Sequence, residues 1–301
     1  VGLLPLLDER DEAMGIVKLF ALAGASALVS TATFAADFPP AMPQPQYVQA
    51  PVDTGGWYLR GDVGVGAQSF NSFDFTQTNV ASGAVWPASW RIEQKDIKDA
   101  TIIGGGIGYQ WNNWLRFDVT AEYRSDVKFK AAGSYIQFGG NGTDRAFDLY
   151  DGDHSAVVAL ANVYVDLGTW WCLTPFVGVG IGGAHHRISA LTDIGLNASP
   201  LGASAFGFAN TEHTSWSRAW AAHAGLAYSV TPNLKLEFAY RYLNMGNALT
   251  SEVACGASGC GTGGGPRAFY TLTDFTSHDF RLGMRWMLQP EAPAAPLMRR
   301  G

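Results

Sequence analysis

The stretch Leu115–Arg124 alternates without interruption: Leu115, Phe117, Val119, Ala121 and Tyr123 interleave with Arg116, Asp118, Thr120, Glu122 and Arg124. A period of two describes a β-strand with one apolar and one polar face, and here it leaves no helical component. Seven further stretches are read the same way: Gly56–Ser69, Thr101–Trp111, Ser155–Leu167, Thr174–His186, Trp216–Val230, Leu234–Tyr242 and His278–Leu288. The joins between them alternate in length. Those at Asn112-Asn113, Gly168–Leu173 and Thr231–Asn233 are tight, whereas those at roughly 70–100, 125–154, 187–215 and 243–277 are long. Short turns at one end and long loops at the other predict an all-β fold, an eight-stranded antiparallel transmembrane up-and-down β-barrel with its long loops outside the cell.

Composition agrees with an all-β chain of many short segments, with 36 Gly, 10 Trp, 11 Tyr and 17 Phe against only 15% charged residues. A mean hydropathy near zero excludes helical spans only, because the two faces of a barrel strand cancel. The net charge of −6, with no Lys/Arg cluster, points away from nucleic acid. Aromatic residues are expected in two girdles. Trp57, Tyr109, Trp111, Trp114, Trp170, Trp171, Tyr228 and Trp286 fall at the tight-turn end, and Tyr123, Trp220, Tyr240, Tyr242 and Phe280 near the other.

The ends read differently. Met14–Ala35 has the form of a secretory signal: Lys18, the apolar run Leu19–Val29, and Thr33-Phe34-Ala35 before the cleavage point. Asp8, Glu9, Asp11 and Glu12 carry the wrong charge for a signal start, so residues 1–13 are expected to precede the true initiator. Residues 36–55 form a proline-rich periplasmic spacer, 56–288 the barrel and 289–301 a tail. Cys255 and Cys260, in a Gly-rich stretch, could close one small disulfide loop after export; a zinc pair is the rival reading, and Cys172 is a turn residue.

Function is sought on the inward faces. They carry Arg60, Arg116, Arg124, Lys235, Arg241, Arg281 and Arg285 against Asp62, Asp118, Glu122, Asp166, Glu237 and Asp279. Side chains just fill the lumen of an eight-stranded barrel, so these charges are expected to pair across strands as a polar plug rather than line a channel. Catalysis finds little support. His154 with Ser155, His185, His186 and His278 are the candidates, and no spacing fixes a nucleophile, a base and an orienter. The Gly178–Gly183 run (GVGIGG) matches a dinucleotide pattern by letter but sits within a strand, with no helix following. His185-His186 could ligate haem or a metal, but alternation sends the two rings to opposite faces.

The stretches GWYLRGDVGVG from Gly56, ANVYVDLG from Ala161, PFVGVGIGGA from Pro175, LEFAYRYLNMG from Leu236 and DFRLGMRW from Asp279 resemble the small outer-membrane surface proteins of alphaproteobacteria. These belong to the superfamily of OmpA-like and OmpX-like eight-stranded barrels, and the likeness covers roughly residues 56–288. The resemblance implies a porin-like surface antigen of the cell outer membrane that supports envelope integrity and surface contacts. Its implied partners are outer-membrane lipid, lipopolysaccharide, the barrel assembly machinery and host or environmental ligands. It carries over no catalytic residue and no cofactor, so the chain is not expected to be an enzyme; haem or small-ligand binding and a narrow pore are the alternatives. The tail after Leu288 departs from the terminal aromatic residue of barrel assembly signals, although Phe280, Met284 and Trp286 keep the last strand's pattern.

Overall fold

A computed structural model of the chain describes residues 55–77, 89–136, 145–197, 202–209, 211–255 and 267–288. Its strands, in chain order, are β1 (Gly56–Ser69), β2 (Ser72–Gln77), β3 (Arg91–Ile97), β4 (Ala100–Gln110), β5 (Leu115–Ile136), β6 (Arg145–Asp166) and β7 (Leu173–Asn197). They continue as β8 (Gly202–Phe208), β9 (His213–Ser229), β10 (Leu234–Asn244), β11 (Ala248–Leu249), β12 (Val253–Cys255), β13 (Arg267–Thr273) and β14 (Thr276–Leu288). Eight of them close a ring in the order β1-β4-β5-β6-β7-β9-β10-β14, antiparallel throughout. Trp57 shows the closure, since it stands opposite Tyr109 on β4 and opposite Leu288 on β14. No described helix is long and apolar enough to cross a membrane.

The ring wears its apolar residues outside. Leu59, Val63, Ile103, Val119, Val179, Ile181, Phe238 and Leu282 are all about half exposed or more, while Arg116, Arg124, Arg241 and Arg285 are wholly buried. A soluble barrel would invert this arrangement, because exposed apolar surface on that scale costs free energy in water. Rings mark both borders of the outer apolar band. At the tight-turn end Trp57 meets Tyr109 edge-on at 5.3 Å, and Tyr109 meets Trp111 at 6.4 Å. At the other end Trp220 packs on Tyr242 at 5.3 Å and Tyr240 on Phe280 at 5.7 Å.

The sequence places strand ends at Arg124, Ser155 and His186, but β5, β6 and β7 run on to lengths of 22, 22 and 25 residues. Much of what reads as loop at 125–154 and 187–215 is therefore sheet. A β-bulge marks the upper border of the apolar band. Between Arg124 and Val127 the β5 register slips by one residue, and a second slip on β7 surrounds Ala190, whose φ is +52°. Because side chains alternate with a period of two, one extra residue swaps the faces. Odd-numbered residues of β5 point outward up to Tyr123 and inward from Val127, where Phe129 and Ala131 are buried and Lys128 and Lys130 face out. The strand thus turns its apolar row from an outer apolar surround to an inner core where water takes over outside.

That upper core is aromatic. Phe73 stacks on Tyr270 at 4.9 Å and packs on Tyr150 at 4.9 Å and Phe129 at 6.4 Å, with Leu191, Ile188 and Phe275 around them. Below, the tight turn after β6 needs unusual backbone. Gly168 takes φ +108°, and Trp171 and Cys172 take +48° and +67°.

A closed ring of this kind resists detergent until heated. Unboiled protein is expected to migrate faster on a detergent gel than boiled protein; equal mobility of the two samples would contradict the closed ring.

Candidate functional site

Every inward strand position that carries an arginine in the ring meets a carboxylate. At mid-height Arg60 bonds Asp62 at 2.8 Å and Asp118 at 2.8 Å, and lies 3.6 Å from Glu237. Toward the tight turns Arg116 donates through Nε to Asp166 at 3.1 Å, while its guanidinium lies over the Tyr164 and Phe176 rings at 4.1 and 4.6 Å. Arg285 reaches Glu237 at 3.1 Å and donates to the Gln110 side-chain oxygen at 2.9 Å. Lys235 stands at the same end of β10, half-buried.

Toward the upper border the network concentrates on two acids. Glu122 is approached by Arg241 at 2.5 Å, Arg281 at 3.1 Å and Arg124 at 3.3 Å. Asp279 accepts from Arg124 at 2.8 and 3.1 Å, from Arg241 at 2.6 and 2.9 Å, and from the Ser277 hydroxyl at 2.5 Å. Arg281 links the two levels by also facing Asp62 at 3.4 Å. Neutral groups complete the shell: the Tyr58 hydroxyl donates to Asp118 at 3.1 Å, and the Asn162 amide to Asp118 at 2.7 Å. Small residues make the room. A Cβ on Gly108 would collide with the Tyr58 ring, and one on Gly178 with the Tyr164 ring, so glycines of the GVGIGG run serve packing.

Above the charges sits a histidine pair. The Nε2 of His186 lies 2.9 Å from the Met245 carbonyl oxygen, which can only accept, so Nε2 carries the proton. Its Nδ1 then accepts from His154 Nε2 at 3.0 Å, and the His154 ring stacks on Phe275 at 4.4 Å. Ser217 completes a serine–histidine–histidine row, 3.1 Å from His186 Nε2. Its hydroxyl, however, donates to the same Met245 carbonyl, and no imidazole lone pair faces it. Ser155 lies across the sheet from its neighbour His154, His278 is at the outer surface bonded to the Tyr240 hydroxyl at 2.7 Å, and His185 packs outside on Trp216 at 4.7 Å. His185 and His186 therefore do not meet at one point. Cys260 lies outside the described residues, so its relation to Cys255 at the end of β12 does too; Cys172 is exposed and unpaired.

The upper core holds acids that alternation alone did not single out. Asp148 and Asp193 face inward among Tyr150 and Tyr270; the Tyr270 hydroxyl donates to Asp193 at 2.8 Å and Tyr150 to Asp148 at 3.4 Å. Burial, then the Asp193 charge, pushes Asp148 up to about 7, and burial pushes Asp193 up to about 6. Among the described residues no group of three or more His, Cys, Asp or Glu side chains is gathered to hold a metal ion.

The profile of a family described as outer membrane protein beta-barrel domain matches residues 21–265. An uncharacterized protein of Brucella abortus is 31% identical over 77% of this chain and 84% of its own length. The outer membrane protein PagN of Salmonella typhimurium is 26% identical over 77% and 89%, and a Rickettsia prowazekii protein named as an adhesin is 26% identical over 76% and 86%.

Proposed function

The chain belongs to the outer membrane protein beta-barrel domain family, and from that premise we propose that it is a structural, surface-exposed barrel with a salt-bridged, plugged lumen, and not an enzyme. It resides in the outer membrane. In this reading the tight turns face the periplasm and the tall ends of β5, β6 and β7 face the environment. The observation that carries the reading is the filling of the ring. Six buried arginines and six buried carboxylates neutralise one another, and an aromatic core stands above them. A rigid, neutral interior suits a protein that braces the envelope and offers its upper surface to contacts. Its partners are the outer-membrane lipid and lipopolysaccharide around the apolar band, the barrel assembly machinery that inserts it, and ligands of host or environmental surfaces. The adhesin naming of one relative supports the last of these.

Two measurements test the proposal. An epitope tag placed between Ile136 and Arg145 is expected to bind antibody on intact cells, whereas one at Asn112-Asn113 should need permeabilised cells; the reverse pattern would invert the orientation. In a planar bilayer the purified protein is expected to give no resolved current steps. Regular single-channel steps would replace the plug with a pore.

A further inference from the structure

The hydrogen-bonded rows of the ring climb as they go round. From Trp57 the row passes Phe117 and Val179 and returns to β1 through His278 at Ala67, ten residues above its start. A second row starts at Gly61 in the middle of β1, passes Gly105, Ala121, Ala159 and Gly183, and reaches β9 at Arg218. Arg218 therefore stands at the upper border of the apolar band, although its row begins at mid-height. Each residue of the row below it is Gly or Ala, so a furrow descends from Arg218 across the lipid-facing side.

Arg218 is exposed between two tryptophans of the same face, Trp216 and Trp220, which are 72% and 48% exposed. The His185 ring packs on Trp216 at 4.7 Å, and Trp220 packs on Tyr242 at 5.3 Å. Directly across the sheet stands Gly183, which places no side chain beside the guanidinium. Arg187 on the same strand as His185 is neutralised by Glu212 at 2.6 Å, whereas Arg218 meets no carboxylate among the described residues. Along the lower bank of the furrow, Ile107, Val119, Ala161 and Ile181 line a groove of about 430 Å³ that reaches Phe117 and Trp57.

A cation on the lipid side of a barrel costs free energy unless an anion faces it, and at this height the anions are headgroup phosphates. The planar fork of a guanidinium matches phosphate oxygens in pairs, and tryptophan rings settle where headgroups meet chains. We infer that Arg218 binds the phosphate of one outer-leaflet lipid, held between Trp216 and Trp220, and that an acyl chain of that lipid lies in the furrow and the groove below. His185, beside Trp216, offers a further ring N–H at the same level. The unpaired cation fixes the chemistry of the headgroup, and the apolar groove beneath it calls for a chain attached to that headgroup. The inference deepens the lipid contact proposed above by giving it a site and a chemistry, and it rests on that reading only for the leaflet that supplies the lipid.

The test is native mass spectrometry of the full chain, folded in an uncharged detergent and titrated with dimyristoyl phosphatidic acid. One lipid per chain is expected to be retained first. Arg218→Gln should weaken that binding about tenfold or more, and Arg218→Lys should recover part of the loss. Ala159→Leu, which fills the furrow at an exposed position, should weaken it about threefold or more. Dimyristoylglycerol, with the same chains and no phosphate, and inorganic phosphate should each bind at least about tenfold more weakly than phosphatidic acid. Equal retention of phosphatidic acid by the Arg218→Gln variant, or equal retention of dimyristoylglycerol by the unaltered chain, would overturn the inference. So would inorganic phosphate that competes at the lipid's own concentration, which would make the site one for a free anion. The faster gel mobility of unboiled samples verifies that each variant has closed its ring. An inverted tag pattern would reassign the leaflet and leave these affinities as they are, so orientation and lipid binding are judged separately.

Discussion

Asp279→Ala is expected to destabilise the barrel by about 3–5 kcal/mol, read as a lower urea midpoint for loss of the heat-modifiable form. Asp279 is the shared acceptor of Arg124 and Arg241, and all three side chains are fully buried. Removing it leaves both guanidiniums to compete for Glu122, which already receives Arg281. A buried charge without its partner cannot be rehydrated in place, so the penalty exceeds what the pair contributes in net terms. Arg187→Ala makes the contrast: its bond to Glu212 at 2.6 Å joins two exposed side chains and should be removable without measurable change. If the two variants unfold at the same urea concentration, the interior is hydrated and the network carries none of the stability assigned to it.

The second large effect is a dependence on pH in the upper sheet. Asp148 and Asp193 are held near 7 and 6 by burial, above the usual carboxylate range near 4 that they would regain on opening. Between about pH 4 and 7 the closed sheet therefore binds more protons than the opened one, and its stability falls as pH rises through that window. Both acids are fully protonated only at the low end, where the upper core is tightest. Hydrogen exchange at residues 146–152 and 191–196, corrected for the intrinsic rate, is expected to show at least about tenfold more protection at pH 5 than at pH 8. The Asp148→Asn/Asp193→Asn variant should flatten the difference. The two acids lie close enough to titrate as a pair, so the midpoint belongs to both. A wild-type profile already flat between those pH values would mean that the acids are solvated.

The ring was legible because lipid and a charged lumen impose opposite demands on successive residues. Leu115–Arg124 obeys that demand at every position, and its partners on β4 and β6 follow in register. The inward charges are legible for the same reason, although which arginine meets which acid depends on strand stagger, which no single segment encodes. The upper sheet was not legible. In β5 the apolar residues stay on odd numbers from Leu115 through Ala131, interrupted only at Ser125. Two polar residues there, Ser125 and Asp126, read as the start of a loop; in the fold they mark the bulge that reverses the faces. Ser217 and Met245 gave no signal either, because a backbone carbonyl holds His186 and any residue could supply it.

The length of β5 and β6 has a consequence for what this molecule can carry. Past the bulge each strand adds ten residues, Val127–Ile136 and Arg145–His154, paired to one another along that length. At the usual rise and tilt of barrel strands this part of the sheet, flanked by β3 and β7, lifts its tip by about 25 Å from the lipid border. A foreign sequence spliced between Ile136 and Arg145 would ride on a stiff mast rather than a loose tether, held clear of the sugars that crowd the membrane face.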